Sequence, residues 1–72
     1  MQVTYGRYRI EADSYYDADG GWRVRCRITN TRTFQGSPIE PRDERYYPSQ
    51  REANAEAIRF GRHLAANRLI AF

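Results

Sequence analysis

Residues 22–29, which read Trp-Arg-Val-Arg-Cys-Arg-Ile-Thr, decide the fold class of this chain. Apolar and polar side chains alternate there without a break, which is the period of a β-strand that buries one face. We expect the core to receive Trp22, Val24, Cys26 and Ile28, while the opposite face carries Arg23, Arg25, Arg27 and Thr29.

A second alternating run, residues 7–13, precedes this strand and predicts its hairpin partner. Its core-facing residues would be Tyr8, Ile10 and Ala12. Gly6 marks a change of phase before the run, where a β-bulge would fit. The connection, residues 14–21, contains Asp and Gly residues that favour turns. If Ile10 lies opposite Cys26, the outward carboxylates Glu11 and Asp13 face Arg25 and Arg23.

The second half of the chain predicts a loop, a short strand and a helix. Gly36, Pro38 and Pro41 make residues 30–43 irregular, and residues 44–47 (ERYY) form a candidate third strand that ends at Pro48. Ser49 and Glu52 have the spacing of a capping box, which predicts a helix start. Apolar residues then recur at helical spacing, including the small residues Ala53, Ala57 and Gly61.

These elements predict one small α+β domain over residues 1–72, a three-stranded antiparallel sheet packed on one C-terminal helix (β-β-β-α). A chain of 72 residues and 8.5 kDa is too short for two domains or for a large enzyme fold. The apolar end of the chain, residues 69–72, either folds back over the sheet or meets a second copy. Its candidate homodimer contacts are Leu69, Ile70 and Phe72.

The sequence contains no recognisable catalytic constellation, so we expect a protein that is not an enzyme. His63 is the only histidine, Cys26 is the only cysteine, and together they are too few ligands for a metal site. We expect neither a cofactor nor a small-molecule substrate. No apolar run is long enough to span a membrane, and the start of the chain does not resemble a secretory signal, which predicts a cytoplasmic location.

The outer face of the predicted sheet is the candidate functional surface. The net charge is +3, and all twelve basic residues are Arg, whose planar fork binds phosphate or carboxylate through two parallel hydrogen bonds. Interleaved guanidinium groups and aromatic rings can bind single-stranded nucleic acid, RNA or DNA, by neutralising phosphates and stacking on bases. The alternative is a solvated face whose Arg stems shield the sheet. The candidate nucleic-acid-binding residues are Arg7, Arg9, Arg23, Arg25, Arg27, Tyr46 and Tyr47, with one of the two tyrosines pointing outward.

Several short motifs along the chain carry a family resemblance. They are residues 5–10 (YGRYRI), Gly21-Trp22, Ser49 with Glu52-Ala53, and residues 60–62 (FGR). In these motifs the chain resembles a set of short, uncharacterised bacterial proteins, and the resemblance implies a β-β-β-α fold. Residues 8–11, 19–22 and 52–53 are also similar to the first hairpin and helix start of HicB-type antitoxins. That second resemblance implies a small RNA-cleaving toxin as partner, but residues 27–30 (RITN) replace the Pro-Asp-x-Pro-Gly-like turn of the family.

The sequence thus favours a non-catalytic binding or interaction module with an acidic partner, and nucleic acid is the sharper form of this hypothesis. The alternative is a protein–protein interaction module or structural homodimer, antitoxin-like, with no role in nucleic-acid binding.

Overall fold

The computed structural model describes residues 1–43 and 45–72, and within them it contains seven strands and one helix. The elements are β1 (Gln2–Tyr5), β2 (Tyr8–Ala12), β3 (Tyr15–Asp17), β4 (Gly21–Arg23), β5 (Cys26–Asn30), β6 (Gly36–Ile39), β7 (Tyr46–Tyr47) and α1 (Gln50–Ala66). All strand pairs are antiparallel, in a four-stranded sheet of order β1-β2-β5-β6 and a three-stranded sheet of order β3-β4-β7. The predicted α+β class with antiparallel strands and a C-terminal helix is confirmed, but two sheets replace the single three-stranded one.

The alternating run that we expected to be one strand is divided between the two sheets. β4 pairs with β3 and β7, whereas β5 pairs with β2 and β6, and the chain passes from one sheet to the other at Val24 and Arg25. The side chains predicted to be buried are buried on both sides of this break, because Val24, Cys26 and Ile28 all lie in the core. Alternation fixes the face that a residue presents to the core, but it does not choose the neighbouring strand.

The N-terminal hairpin was not predicted. β1 pairs with β2, and Gly6, with a φ of +59°, lies in the two-residue turn between them rather than in a bulge. A left-handed conformation at this turn suits Gly because it has no Cβ.

The pairing of β2 with β5 also differs from the predicted register. Ile10 lies opposite Ile28 instead of Cys26, and Glu11 lies opposite Arg27 instead of Arg25. The error is two residues, which leaves every side chain on its predicted face. The pattern of burial therefore could not distinguish the two registers.

Residues 36–39, which we expected to be irregular, form the edge strand β6. Its Pro38 is compatible with a strand because an edge strand has one side without sheet partners. The predicted third strand exists as β7, which pairs with β4 at the edge of the smaller sheet. Glu44, the first residue of that prediction, lies outside the described residues.

The helix begins as predicted and packs on the larger sheet. The Ser49 hydroxyl oxygen accepts from the Glu52 amide at 3.2 Å, and the hydroxyl donates to the Glu52 carboxylate, also at 3.2 Å. The buried helix residues are Ala53, Ala57, Ile58, Gly61 and Ala65, which form a stripe of mostly small side chains. Because small residues bring backbones close together, this stripe lies directly against the core residues of β2 and β5.

The C-terminal segment folds back on the molecule, which is the first of the two alternatives left open by the sequence. The Tyr8 hydroxyl donates to the Phe72 carbonyl at 2.7 Å, and Ile70 and Phe72 pack against the core. Of the three candidate dimer contacts, Leu69 alone is largely exposed, at 61%. Across residues 1–43 and 45–72, no helix has the length and apolar character required to cross a bilayer.

Candidate functional site

The predicted Arg residues occupy three kinds of position. Arg9 on β2 and Arg27 on β5 lie on the face of the larger sheet opposite the buried Ile10 and Ile28. Arg23 lies on β4 of the smaller sheet, and Arg25 lies at the break between the sheets. Arg7 is in the turn of the N-terminal hairpin, where its carbonyl accepts bonds from the Thr31 amide and hydroxyl.

Arg23 and Arg25 form a cluster with two tyrosines on the outer side of the smaller sheet. The strand register places Tyr15, Arg23 and Tyr46 side by side across β3, β4 and β7. The Arg23 guanidinium carbon lies 5.4 Å from the centroid of the Tyr46 ring, and that of Arg25 lies 4.6 Å from the centroid of the Tyr15 ring. Both distances are those of cation–π contacts. We name Tyr15, Arg23, Arg25 and Tyr46 the Arg/Tyr cluster.

Carboxylates hold three members of the cluster in place. Arg25 Nε donates to Asp13 Oδ2 and to the Asp13 carbonyl, both at 3.1 Å. The Tyr15 hydroxyl donates to Glu40 Oε1 at 2.9 Å, and the Tyr46 hydroxyl donates to Asp17 Oδ2 at 3.4 Å. The hydrogen bond to Glu40, followed by desolvation, raises the pKa of Tyr15. The planar groups are therefore oriented before any ligand arrives.

Arg25 also connects the two sheets, because Asp13 follows β2 of the larger sheet and Tyr15 begins β3 of the smaller one. Arg23, Arg25 and Arg27 alternate with the buried Val24 and Cys26, and they form a row of outward residues that passes from the smaller sheet to the larger one.

The charge on this side is more balanced than the sequence predicted. We expected five Arg against Glu11 and Asp13, but Asp17 and Glu40 also reach the cluster, and Arg9 forms an ion pair with Glu11 at 3.0 Å. Four carboxylates therefore accompany the four guanidinium groups of Arg9, Arg23, Arg25 and Arg27, and two of them form ion pairs, with Arg9 and with Arg25. Among the described residues, Arg23 and Arg27 have no carboxylate within 4.0 Å and are the two available for an anionic ligand.

Of the two predicted tyrosines, Tyr46 faces the cluster and Tyr47 faces the other way, where it packs against the core. Tyr15 was missed because it fell in a segment that we interpreted as a turn. The two adjacent tyrosines Tyr15 and Tyr16, a residue type that favours strands, were the signal available in the sequence.

A cleft of about 330 Å³ lies beside Arg23, and sequence reasoning did not find it. Its apolar lining comes from Val24, Pro41, Tyr47 and Phe60, and its charged lining includes Arg23. The other ionisable residues around it are Asp43, Arg45, Glu56, Arg59 and His63. The volume is in the range of small-molecule sites, and the mixture of apolar walls with a few charged groups is typical of them. Residues from two strands, a loop and the helix line the cleft, so no single local motif in the sequence predicts it.

Cys26 is fully buried, and burial raises its pKa to about 11. A protonated, inaccessible thiol is a core side chain and not a nucleophile. His63 is exposed, and its backbone carbonyl accepts from the Asn67 amide at 2.8 Å. In the part of the chain that the structure describes, no group of three or more potential ligands could hold a metal ion.

The chain matches no known protein-family model, and neither a curated protein nor a solved structure is significantly similar to it.

Proposed function

We propose that this chain is a non-catalytic binding module that holds single-stranded nucleic acid on the Arg/Tyr cluster and along the adjoining row to Arg27. The observation that carries the proposal is the cation–π contact of two guanidinium groups with two tyrosine rings, with Tyr15, Arg23 and Tyr46 in register across β3, β4 and β7. Planar cations fixed on aromatic rings provide flat surfaces on which unpaired bases can stack.

Different residues of this surface bind the bases and the phosphates. Bases stack on the exposed planes of the Arg/Tyr cluster, and Arg23 and Arg27 neutralise phosphates because neither forms an ion pair within 4.0 Å with a carboxylate of the described residues. The cleft beside Arg23 is large enough to receive an unstacked base against Tyr47 and Phe60. A duplex cannot use these surfaces, since its bases are already stacked on one another.

The balanced charge of the surface sets the salt dependence of binding. If two guanidinium groups displace counterions from single-stranded nucleic acid, the slope of log K against log salt concentration is about −1.4. A much steeper slope would mean that more than these two guanidinium groups contact phosphates.

The test is a fluorescence-anisotropy titration of labelled single-stranded RNA, single-stranded DNA and a duplex, at low and moderate salt. We expect binding to the single strands and much weaker binding to the duplex. The Arg23→Gln/Arg25→Gln/Arg27→Gln variant should bind at least tenfold more weakly while its circular dichroism stays unchanged. Arg62→Gln, which removes an exposed helix Arg remote from the cluster, is the matched control and should bind normally. Absence of single-strand binding at low salt would refute the proposal, because phosphate-driven affinity is greatest there.

The second candidate is a protein-interaction module with no role in nucleic-acid binding, as the resemblance to HicB-type antitoxins implies. One feature favours it: Phe34 is 83% exposed at the tip of the β5–β6 loop, where it can enter a pocket on another protein. A pull-down from lysate distinguishes the two candidates. Protein partners that survive nuclease treatment and depend on Phe34 favour the second, whereas partners lost on nuclease treatment and on substitution of Arg23, Arg25 and Arg27 favour the first.

A further inference from the structure

The two edges of the four-stranded sheet are unequal. β6 forms one edge and contains Pro38, whereas β1 forms the other and contains neither a proline nor a charged residue. Natural proteins block open sheet edges with prolines, charges or bulges, because unpaired backbone groups on an edge attract another strand. β1 has neither a proline nor a charged residue to block its edge.

The alternation of hydrogen-bonded and non-bonded pairs along β1 and β2 shows which backbone groups of β1 can bind an incoming strand. The Ala12 amide donates to the Met1 carbonyl at 2.9 Å, which makes residues 1 and 12 a bonded pair. Because bonded and non-bonded pairs alternate along an antiparallel ladder, Val3 and Tyr5 also bond to β2, while Gln2 and Thr4 point their backbone N–H and C=O groups outward.

The same reasoning explains the protection of the other edge. The Asn30 amide donates to the Gln35 carbonyl at 2.8 Å, so Ser37 and Ile39 bond to β5 and position 38 faces outward. Of the two outward positions of β6, Gly36 and Pro38, the second therefore has no N–H group to offer to an incoming strand.

We propose that a second copy of this chain pairs with β1 in antiparallel orientation about a two-fold axis at Val3. This register places Gln2 opposite Thr4 of the second copy and Thr4 opposite Gln2, so that the four outward residues exchange four backbone hydrogen bonds. No charged side chain on either strand opposes the pairing.

Side chains on the helix side of β1 fit the same two-fold axis. Met1, Val3 and Tyr5 all point to that side, and Met1 and Tyr5 are 65% and 41% exposed. The proposed register brings Val3 against Val3 of the second copy and Met1 against Tyr5. An apolar seam then forms where the single chain leaves these side chains in water, and the gain is the burial of that surface. This interface is separate from the Arg/Tyr cluster, so the inference does not depend on the proposed function.

The experiment measures molar mass by sedimentation without nucleic acid, over protein concentrations from about 10 µM to about 1 mM, which suits a small interface. We expect a concentration-dependent rise toward twice the mass of one chain. Thr4→Pro removes an outward N–H group and should weaken the dimer at least tenfold. Pro38→Ala, which alters the opposite edge, should leave the β1 dimer constant unchanged.

A charge exchange tests the register. Gln2→Lys/Thr4→Lys places like charges opposite each other across the axis and should weaken the dimer at least tenfold, whereas Gln2→Lys/Thr4→Glu places opposite charges there and should restore it. Circular dichroism checks that both variants fold. A single-chain mass for the native protein at about 1 mM overturns the proposal, as does a dimer that Thr4→Pro and the Lys/Lys pair leave intact, since such a dimer uses another surface.

Discussion

Gly61 on α1 lies so close to Ile10 on β2 that a Cβ at position 61 would be 2.5 Å from Ile10 Cγ2. The same Cβ would lie 3.5 Å from Cys26 Sγ, in ordinary contact. Both residues are completely buried at the centre of the core. The helix can therefore lie at its observed distance from the sheet only because position 61 carries no side chain.

Gly61→Ala is expected to destabilise the fold, although Ala is the better helix former by about 1 kcal/mol. Overpacking against Ile10 costs about 1–3 kcal/mol, which should exceed that gain and leave a net loss of up to about 2 kcal/mol in the free energy of unfolding, measured by urea denaturation. The double variant with Ile10→Ala should lose less than the sum of the two single changes, because the smaller residue makes room for the new methyl group. A stability gain from Gly61→Ala alone would contradict the observed packing.

Gly20 gives the Tyr46 ring its position in the Arg/Tyr cluster. A Cβ at Gly20 would lie 2.6 Å from Tyr46 Cε2 and Cζ, and the ring can respond by moving because it is exposed on its other side. Gly20→Ala should change stability by less than about 1 kcal/mol while displacing the ring from Arg23 and weakening single-strand binding severalfold.

The matched control for that variant is Gly6→Ala. Gly6 has a φ of +59° and nothing within 4 Å of a Cβ, so its substitution introduces backbone strain without a collision. It should cost about 1 kcal/mol in stability and leave nucleic-acid binding unaffected. Equal losses of binding in the two variants would show that the position of Tyr46 is unimportant.

Cys26 should make folding sensitive to alkaline pH. Its pKa is raised from 9.0 to about 11 in the folded protein, so the folded state holds the thiol proton more tightly than the unfolded state does. The associated stabilisation is complete below pH 9 and is lost as the pH rises toward 11. Urea denaturation of the native protein and of Cys26→Ala should show a steeper decline over this range in the native protein.

The same burial predicts that the thiol is inert in the folded state. At pH 7.5 the native protein should react with a thiol reagent such as dithionitrobenzoate only at the rate of unfolding, and one thiol per chain should react at once in denaturant. Rapid reaction without denaturant would mean that Cys26 is accessible.

Phe34 has a φ of 63°, an unfavourable backbone conformation for a bulky residue, and its side chain is almost entirely in water. Phe34→Gly should therefore relieve about 1–2 kcal/mol of backbone strain in the folded state. Gly also gives the unfolded chain more conformational freedom, which offsets about 0.5–1 kcal/mol of this stabilisation. The net expectation is a small increase in the urea midpoint. Arg32→Gly, in the same loop without a positive φ, should lower it.

The functional candidates were partly predictable because they follow from local spacing. Arg23, Arg25 and Arg27 are outward residues in any strand that buries Val24 and Ile28, and Tyr46 needed only a short strand before Pro48. Tyr15 and the carboxylates Asp17 and Glu40 reach the cluster through strand pairing and a loop that the sequence did not specify. The sequence consequently overestimated the positive charge of this surface.

Sequence alone determined which side of β2, β5 and α1 meets the core and where the helix begins. Both are local properties: side-chain period fixes the faces of a strand, and the Ser49–Glu52 spacing satisfies the first helical amides. Tertiary structure decided the division of residues 22–29 between two sheets, the register of Ile10 with Ile28 and the cleft beside Arg23. If a strand shifts its register by two residues, or pairs with a different neighbour, the same side chains stay buried. The sequence pattern therefore cannot choose between these arrangements, and the choice depends on how all the strands share their backbone hydrogen bonds.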